Sequence, residues 1–444
     1  MHEKGLTWWQ LALIGIGSII GAGFFLGTGL SIRIAGPSVL IGYVIAGVAT
    51  FIVFASLAQM TANDPQSGSF RAYARIAFGR SAGFLSGWVY WLSGVLIMSS
   101  EIVALSTFTE YWFPNVPLGV FAIAYAALGF GINFLGVRNF SQVESAFAIV
   151  KLAILVGFIL FGALFIFGAI HPTAASAAAS PGVHTWFPHG VKGLWSAMVI
   201  IFFSFGGIEV VGVTASELKR KEDIVKTGTV LLVSLVLVYV LALYLVLRMA
   251  GWRGLNEETS PFVTALSAFS IPYMDSIFNL VIISAAFSTM VGALFSISRI
   301  IVSLAEDGDA PRGLAALNRR GVAWKSLLLT AAALAVSIGC SYVLPNTMYE
   351  YVTTSAGVML ILNWILILAS YLKLQGRSDE QSKKPTRRRT IASPAAAYVG
   401  IALILIAISG ALLHGNERVG LGISAALIII VALASRLVAA KHRH

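Results

Sequence analysis

The chain has 444 residues, of which 58% are apolar and only 11% charged, with a formal net charge of +11. A soluble fold of that size carries roughly 25% charged residues, so lipid has to be the outer solvent and a soluble enzyme or carrier is excluded. The basic residues are scattered between apolar runs instead of gathered on one face, which argues against a nucleic-acid surface.

A helix crosses the hydrocarbon core with about 20 mainly apolar residues. Runs of that kind occur near 7–33, 37–60, 82–107, 117–135, 143–168, 192–216, 225–249, 273–304, 325–344, 350–372, 394–414 and 419–437. They predict an all-α integral membrane protein with twelve transmembrane helices. The first run follows Met1–Gly5, lacks a small-residue cleavage site, and reads as a first span, not a removed signal peptide. The run at 273–304 is long enough to tilt or to extend beyond the membrane.

Twelve spans put both termini on one side. Of the 30 lysines and arginines, 23 then share the side of the termini, 5 lie opposite, and Lys151 and Arg299 fall within spans. The positive-inside rule makes the termini cytoplasmic. The basic segment from Lys373 to Arg389 reads as a flexible cytoplasmic connection able to touch anionic lipid. The small, polar segment from Ala174 to Ser180 reads as an external linker. A single cysteine, Cys340, makes a disulfide within the chain impossible and reads as packing.

Two glycine clusters interrupt apolar spans. The first span contains Gly15, Gly17, Gly21 and Gly23, and the sixth reads Phe203-Ser204-Phe205-Gly206-Gly207-Ile208-Glu209. Glycine weakens a helix by about 1 kcal/mol relative to alanine, so clusters at mid-span favour unwinding. Small residues also let membrane helices pack closely, and for either cluster alone that reading stands beside the first. The spacing favours unwinding. Spans one and six correspond if spans one to five and six to ten are inverted repeats, and paired interruptions point to a transporter's binding site. At such breaks, freed amides and a half-helix N-terminus suit a carboxylate, and freed carbonyls accept from an ammonium group. The unwound chain matches a zwitterionic amino acid.

Taken together, Gly17-Ser18-Ile19-Ile20-Gly21-Ala22-Gly23-Phe24-Phe25-Leu26-Gly27-Thr28-Gly29, Phe203 to Glu217, Pro65-Gln66-Ser67-Gly68-Ser69-Phe70, Gly87-Trp88-Val89-Tyr90-Trp91, and Leu304-Ala305-Glu306-Asp307-Gly308-Asp309-Ala310-Pro311 resemble the amino acid–polyamine–organocation superfamily, in its bacterial amino acid permease branch. The resemblance covers most of the chain and thins beyond about residue 370. The segment Glu217 to Asp223 lacks the asparagine–proline pair often found after that motif. The resemblance implies a LeuT-like fold: a five-plus-five inverted repeat at 1–168 and 192–373, and two C-terminal helices at 394–440. It implies a substrate carboxylate on the amides of Gly21, Ala22 and Gly23, and an amino group on carbonyls near Ser18, Ile19, Phe203 and Gly206, with Gly207 beside them. Phe203 would be an aromatic gate, and Phe205 and Met98 pocket walls.

Ionisable groups at membrane depth are costly and mark function; here they are Glu101, Lys151, Glu209 and Arg299, with Glu144 near a boundary. By the resemblance, a span-five lysine such as Lys151 can place its ammonium where sodium-coupled relatives hold their ion, which implies proton symport. A lysine snorkelling to the cytoplasmic face is the alternative. Glu209 either relays a proton and gates, or caps the freed amides. Glu101 reads as a partner of a neighbouring helix, and Arg299 as part of a structural ion pair. No histidine or aspartate lies at mid-span, and no metal-ligand spacing or nucleophile-and-base arrangement occurs there. The expectation is therefore an amino acid importer of the bacterial inner membrane, not an enzyme, with a neutral substrate, H+ as coupling ion, and no cofactor or metal. An exchanger, a carrier of polyamines or cationic amino acids, and a nutrient sensor on the same fold are the alternatives.

Overall fold

The computed structural model describes residues 6–66, 68–134, 137–172, 185–214, 218–255, 259–269, 271, 273–341, 348–381 and 392–441. The linker expected at 174–180, residues 382–389 of the basic segment, and the side chains of Cys340 and Glu144 lie outside them. Among the described residues the chain is helical, apart from one isolated bridge between Leu6 and Leu218. The helices are α1 (Trp8–Ile19), α2 (Ala22–Phe25), α3 (Gly27–Ala35), α4 (Val39–Asn63), α5 (Phe70–Phe78), α6 (Arg80–Glu110), α7 (Leu118–Phe134) and α8 (Val137–Ile166). They continue as α9 (Gly190–Phe203), α10 (Ile208–Thr214), α11 (Ile224–Met249), α12 (Pro261–Ser267), α13 (Met274–Glu306), α14 (Trp324–Ser341), α15 (Met348–Gln381), α16 (Pro394–Gly410) and α17 (Gly415–Lys441).

Each apolar run falls on helix. Among the described residues, eight helical stretches are long and apolar enough to cross a membrane, and Trp8–Ile19, Leu118–Phe134, Trp324–Gly339 and Pro394–Gly410 are apolar but shorter. Ile123, Leu160, Leu237 and Ile430 point outward, fully apolar and exposed, a surface that only lipid can cover. One boundary differs from expectation. α15 runs on to Gln381, so 373–381 is helix and not loose connection; Leu372 to Gln381 is mostly strong helix formers with no proline.

Residues 8–166 and 190–381 hold their elements in the same order and at matching lengths. Each begins with a broken helix, followed by a long helix (α4 and α11, 25 and 26 residues) and a short one (α5 and α12, 9 and 7). Then come a very long helix (α6 and α13, 31 and 33), a shorter one (α7 and α14, 17 and 18) and a long one (α8 and α15, 30 and 34). α6 and α13 lie against each other along much of their length, and α1 packs between α8, α10, α11 and α13.

Two polar ties hold one end of this assembly. Arg71 of α5 is fully buried and donates to Asp307 (2.6 Å) and Asp309 (3.1 Å) just past α13. Arg75 and Arg80 add ion pairs to the same aspartates, at 2.5 and 2.6 Å. The other tie joins the start of α1 to the chain after α10: Lys219 N–H donates to Leu6 O (2.9 Å), and the Lys226 ammonium of α11 lies over the Trp8 ring.

Removing one partner of a buried ion pair strands the other. Arg71→Ala should therefore lower stability by about 3 kcal/mol, measured by thermal unfolding in detergent. Arg75→Ala, with its side chain 37% exposed, should cost less than about 1 kcal/mol.

Candidate functional site

α1 stops at Ile19 because Ile20 turns extended (φ −77°, ψ 104°). In an unbroken helix the Gly17 carbonyl would accept from the Gly21 N–H. Here it accepts from Lys151 Nζ of α8 at 2.5 Å. Ile20 O accepts from Thr289 Oγ1 of α13 at 3.0 Å, and Lys151 Nζ also reaches Thr289 Oγ1 at 3.0 Å. Lys151 is fully buried, so its stem runs inward and does not snorkel. Three elements, α1, α8 and α13, thus meet at one ammonium group.

Gly21 sits where no side chain fits. A Cβ there would stand 2.6 Å from Thr289 Oγ1 and 2.7 Å from Glu101 Oε1. Beyond it, Phe24 and Phe25 N–H both return to Gly21 O (3.0 and 3.1 Å), starting the short α2.

The second break spans Ser204 to Gly207. Gly207 has φ +105°, a conformation open to glycine, and a Cβ there would lie 2.6 Å from Ser18 O of the first break. Glu209 caps the restart. Its Oε2 accepts from Gly207 N–H (3.0 Å), its Oε1 accepts from Trp364 Nε1 of α15, and it is fully buried. Ser204 Oγ donates to Gly23 O (3.0 Å) and shares a hydrogen bond with Tyr43 OH (2.9 Å). The two breaks are therefore joined by direct contact.

Between them lies a cavity of ≈ 40 Å³, room for about three water molecules. Ser18, Ile19 and Gly23 line it from the first break, and Phe203, Gly206, Gly207 and Glu209 from the second. The opposite walls are Tyr90, Gly94, Ile97 and Glu101 of α6, Thr289, Ala293 and Ile297 of α13, and Leu360 of α15. The Phe203 ring rests on Gly23, 2.9 Å from where a Cβ would be.

Of the residues singled out from sequence, Ser18, Ile19, Gly23, Phe203, Gly206, Gly207 and Glu209 line the cavity. Gly21 borders it through Glu101 and Thr289, and Lys151 stands behind Thr289. Ala22 begins α2. Phe205 and Met98 are placed elsewhere. Phe205 turns away from Phe203 into an aromatic cluster with Tyr43 and Tyr239, ring centroids 5.9 and 5.5 Å apart. Met98 is in the core, rotated off the α6 face that Ile97 and Glu101 present. Glu101 belongs to the cavity wall, a larger role than a helix partner, and the Arg299 guanidinium lies over the Phe295 ring (5.8 Å).

Sequence reading missed Tyr90, Gly94, Thr289, Leu360 and Trp364. A signal existed for α6: residues 90, 94, 97 and 101 recur at helical spacing and include a tyrosine, a glycine and a glutamate. Thr289 had none, since serines and threonines are common in these spans.

The family model for amino acid permeases matches residues 10–441. The chain belongs to the amino acid permease family. Among curated relatives, the uncharacterized transporter YcgH of Bacillus subtilis is 39% identical, covering 100% of this chain and 97% of that protein. The uncharacterized amino acid permease YtnA of the same species is 31% identical, over 90% and 88%. The aromatic amino acid transport protein AroP of Escherichia coli K12 is 32% identical, over 85% and 83%. These relatives are bacterial transporters and permeases, not enzymes, and the family is one of multi-pass membrane proteins.

Forcing a side chain onto backbone of this kind strains it by about 1–3 kcal/mol, and 1.4 kcal/mol is tenfold in an equilibrium. Gly207→Ala should therefore lower uptake of labelled amino acids by cells by about tenfold or more. Gly157→Ala on α8, where a Cβ meets nothing within 4 Å, should leave uptake unchanged.

Proposed function

We propose that this permease imports a neutral amino acid by proton symport, with alternating access around the paired breaks. The observation that carries this reading is the buried Lys151 ammonium, held between the freed Gly17 carbonyl and Thr289. A protonated lysine there supplies the cation that joins α1, α8 and α13. A neutral one loses the charge that strengthens its bond to Gly17, which couples a proton to the shape of the first break.

In this reading the substrate carboxylate takes the amides of Gly21, Ala22 and Gly23, at the positive end of α2. The amino group takes carbonyls near Ser18, Ile19, Phe203 and Gly206. The present cavity is smaller than an amino acid, so Phe203 has to swing off Gly23 to admit one, as a gate would. Glu209 holds the second break through Gly207 and Trp364, and its protonation would loosen that hold, making it the second coupling group.

The cavity lining includes the apolar side chains of Ile97, Phe203, Ile297 and Leu360, which favours an apolar substrate. The carboxylates present are engaged, Glu209 by Gly207 and Trp364 and Glu101 against Gly21 and Thr289, which disfavours a cationic one. AroP is named for aromatic amino acids, and an aromatic substrate fits these walls. The matching order of elements at 8–166 and 190–381 supports an inverted repeat of five spans each, with two further spans at 394–441. Twelve crossings of the bacterial inner membrane, with both termini cytoplasmic, complete the reading.

Purified protein in proteoliposomes tests it. With an imposed inward proton gradient, wild type should accumulate labelled phenylalanine or another neutral amino acid, and an unlabelled panel should rank the substrates. Lys151→Ala should reduce gradient-driven uptake to the level of empty liposomes; uptake that still followed the gradient would end the coupling role.

A further inference from the structure

Away from the central cavity, two more carboxylates are buried where α15 and α17 begin. Glu350 lies in the first turn of α15 and Glu417 in the first turn of α17. Glu417 Oε2 accepts from Ser196 Oγ of α9 at 3.3 Å. Glu350 Oε2 accepts from Asn416 Nδ2 at 2.9 Å, and His414 Nδ1 stands 3.5 Å from Glu350 Oε1. Three helices, α9, α15 and α17, therefore meet at one acidic pair: Asn416, next to Glu417 in the chain, donates to Glu350, and Ser196 donates to Glu417.

The interface leaves buried polar atoms unsatisfied. Glu417 Oε1 has no hydrogen-bond partner, and neither has Thr354 Oγ1, one turn beyond Glu350. Thr354 is fully buried and faces α17: a Cβ on Gly420, one turn beyond Glu417, would lie 2.7 Å from Thr354 Cβ. A carboxylate only accepts hydrogen bonds, whereas a protonated carboxyl also donates one. One proton thus cancels one of the two buried charges and provides the missing donor.

A route for that proton is present. His414, with its side chain 40% exposed, and Ser196 both line a cavity of ≈ 680 Å³. The other charged or titratable residues on its walls are Arg33, His189, Lys192 and Arg253. Tyr349 and Tyr351 flank Glu350 on α15, and Arg418 of α17 donates to Leu412 O. α6 meets α17 through apolar side chains around Phe84 and Val89.

We propose that Glu350 and Glu417 bind one proton between them, delivered from the ≈ 680 Å³ cavity through His414, and that this proton fastens α9 to α15 and α17. α9 ends at Phe203, so the fastening fixes the half-helix that carries the gate proposed above. Loss of the proton at alkaline pH sets two buried negative charges side by side and releases α9. The orientation proposed above enters only in making the supplying solvent external.

The test uses the full chain in nanodiscs, at a series of pH values. Infrared difference spectra should show a protonated-carboxyl band that is lost as pH rises. Glu417→Gln and Glu350→Gln should each remove the same component of that band, leaving any component that Glu209→Gln removes. Hydrogen exchange within 190–203, corrected for the intrinsic rate, should speed up in wild type by up to about tenfold per pH unit above the transition. In Glu417→Gln, which stays neutral at every pH, it should remain slow. Should Glu417→Gln not yield folded protein, Glu350→Gln carries the same expectation. A titrating band that loses no intensity in either substitution, or exchange in the glutamine variants that follows wild type, overturns the proposal. Neither readout depends on uptake, so failure here and failure of the import reading are told apart.

Discussion

A helix interrupted in the middle of a membrane leaves peptide groups that water cannot reach, and everything at this site follows from how those groups are satisfied. The Gly17 carbonyl is taken by the Lys151 ammonium, and Ile20 O by the Thr289 hydroxyl. An unpaired group in hydrocarbon costs several kcal/mol, so the first break can exist only because α8 and α13 supply these donors. Lys151 in turn is tolerable at that depth because a carbonyl and a hydroxyl receive it. Each feature would be a defect without the other.

The second break is satisfied differently. No cation enters it; Glu209 folds back onto the Gly207 N–H while Trp364 holds its other oxygen. One interruption is held by a positive group on carbonyls, the other by a negative group on an amide. Ser204, bonded to Gly23 O, prevents the breaks from drifting apart.

Much of this was legible in the chain because lipid imposes a simple rule: about 20 apolar residues make a crossing, and glycines inside one signal a break. The helices, both breaks, and the lysine and glutamate beside them came from that rule. Rotation about each helix axis did not. A span facing lipid on one side and protein on the other is apolar nearly all round, so only the helical spacing of Tyr90, Gly94 and Glu101 hinted that Ile97 faces the cavity while Met98 does not. Phe205 was misplaced for a related reason: two residues past Phe203 in a turn, its direction depends on Tyr43 and Tyr239, which are distant in sequence. The extension of α15 to Gln381 was hidden because polarity marks the end of a span, not the end of a helix.

The two ties at the charged end of the assembly divide it mechanically. Arg71, Asp307 and Asp309 rivet α5 and α13 into a stiff chassis with α6. The Leu6–Lys219 bond and the Lys226–Trp8 contact harness α1 to the segment following α10. Displacement of one body against the other would then carry the start of α1 and the stretch after α10 together, with the glycine breaks as the pivots.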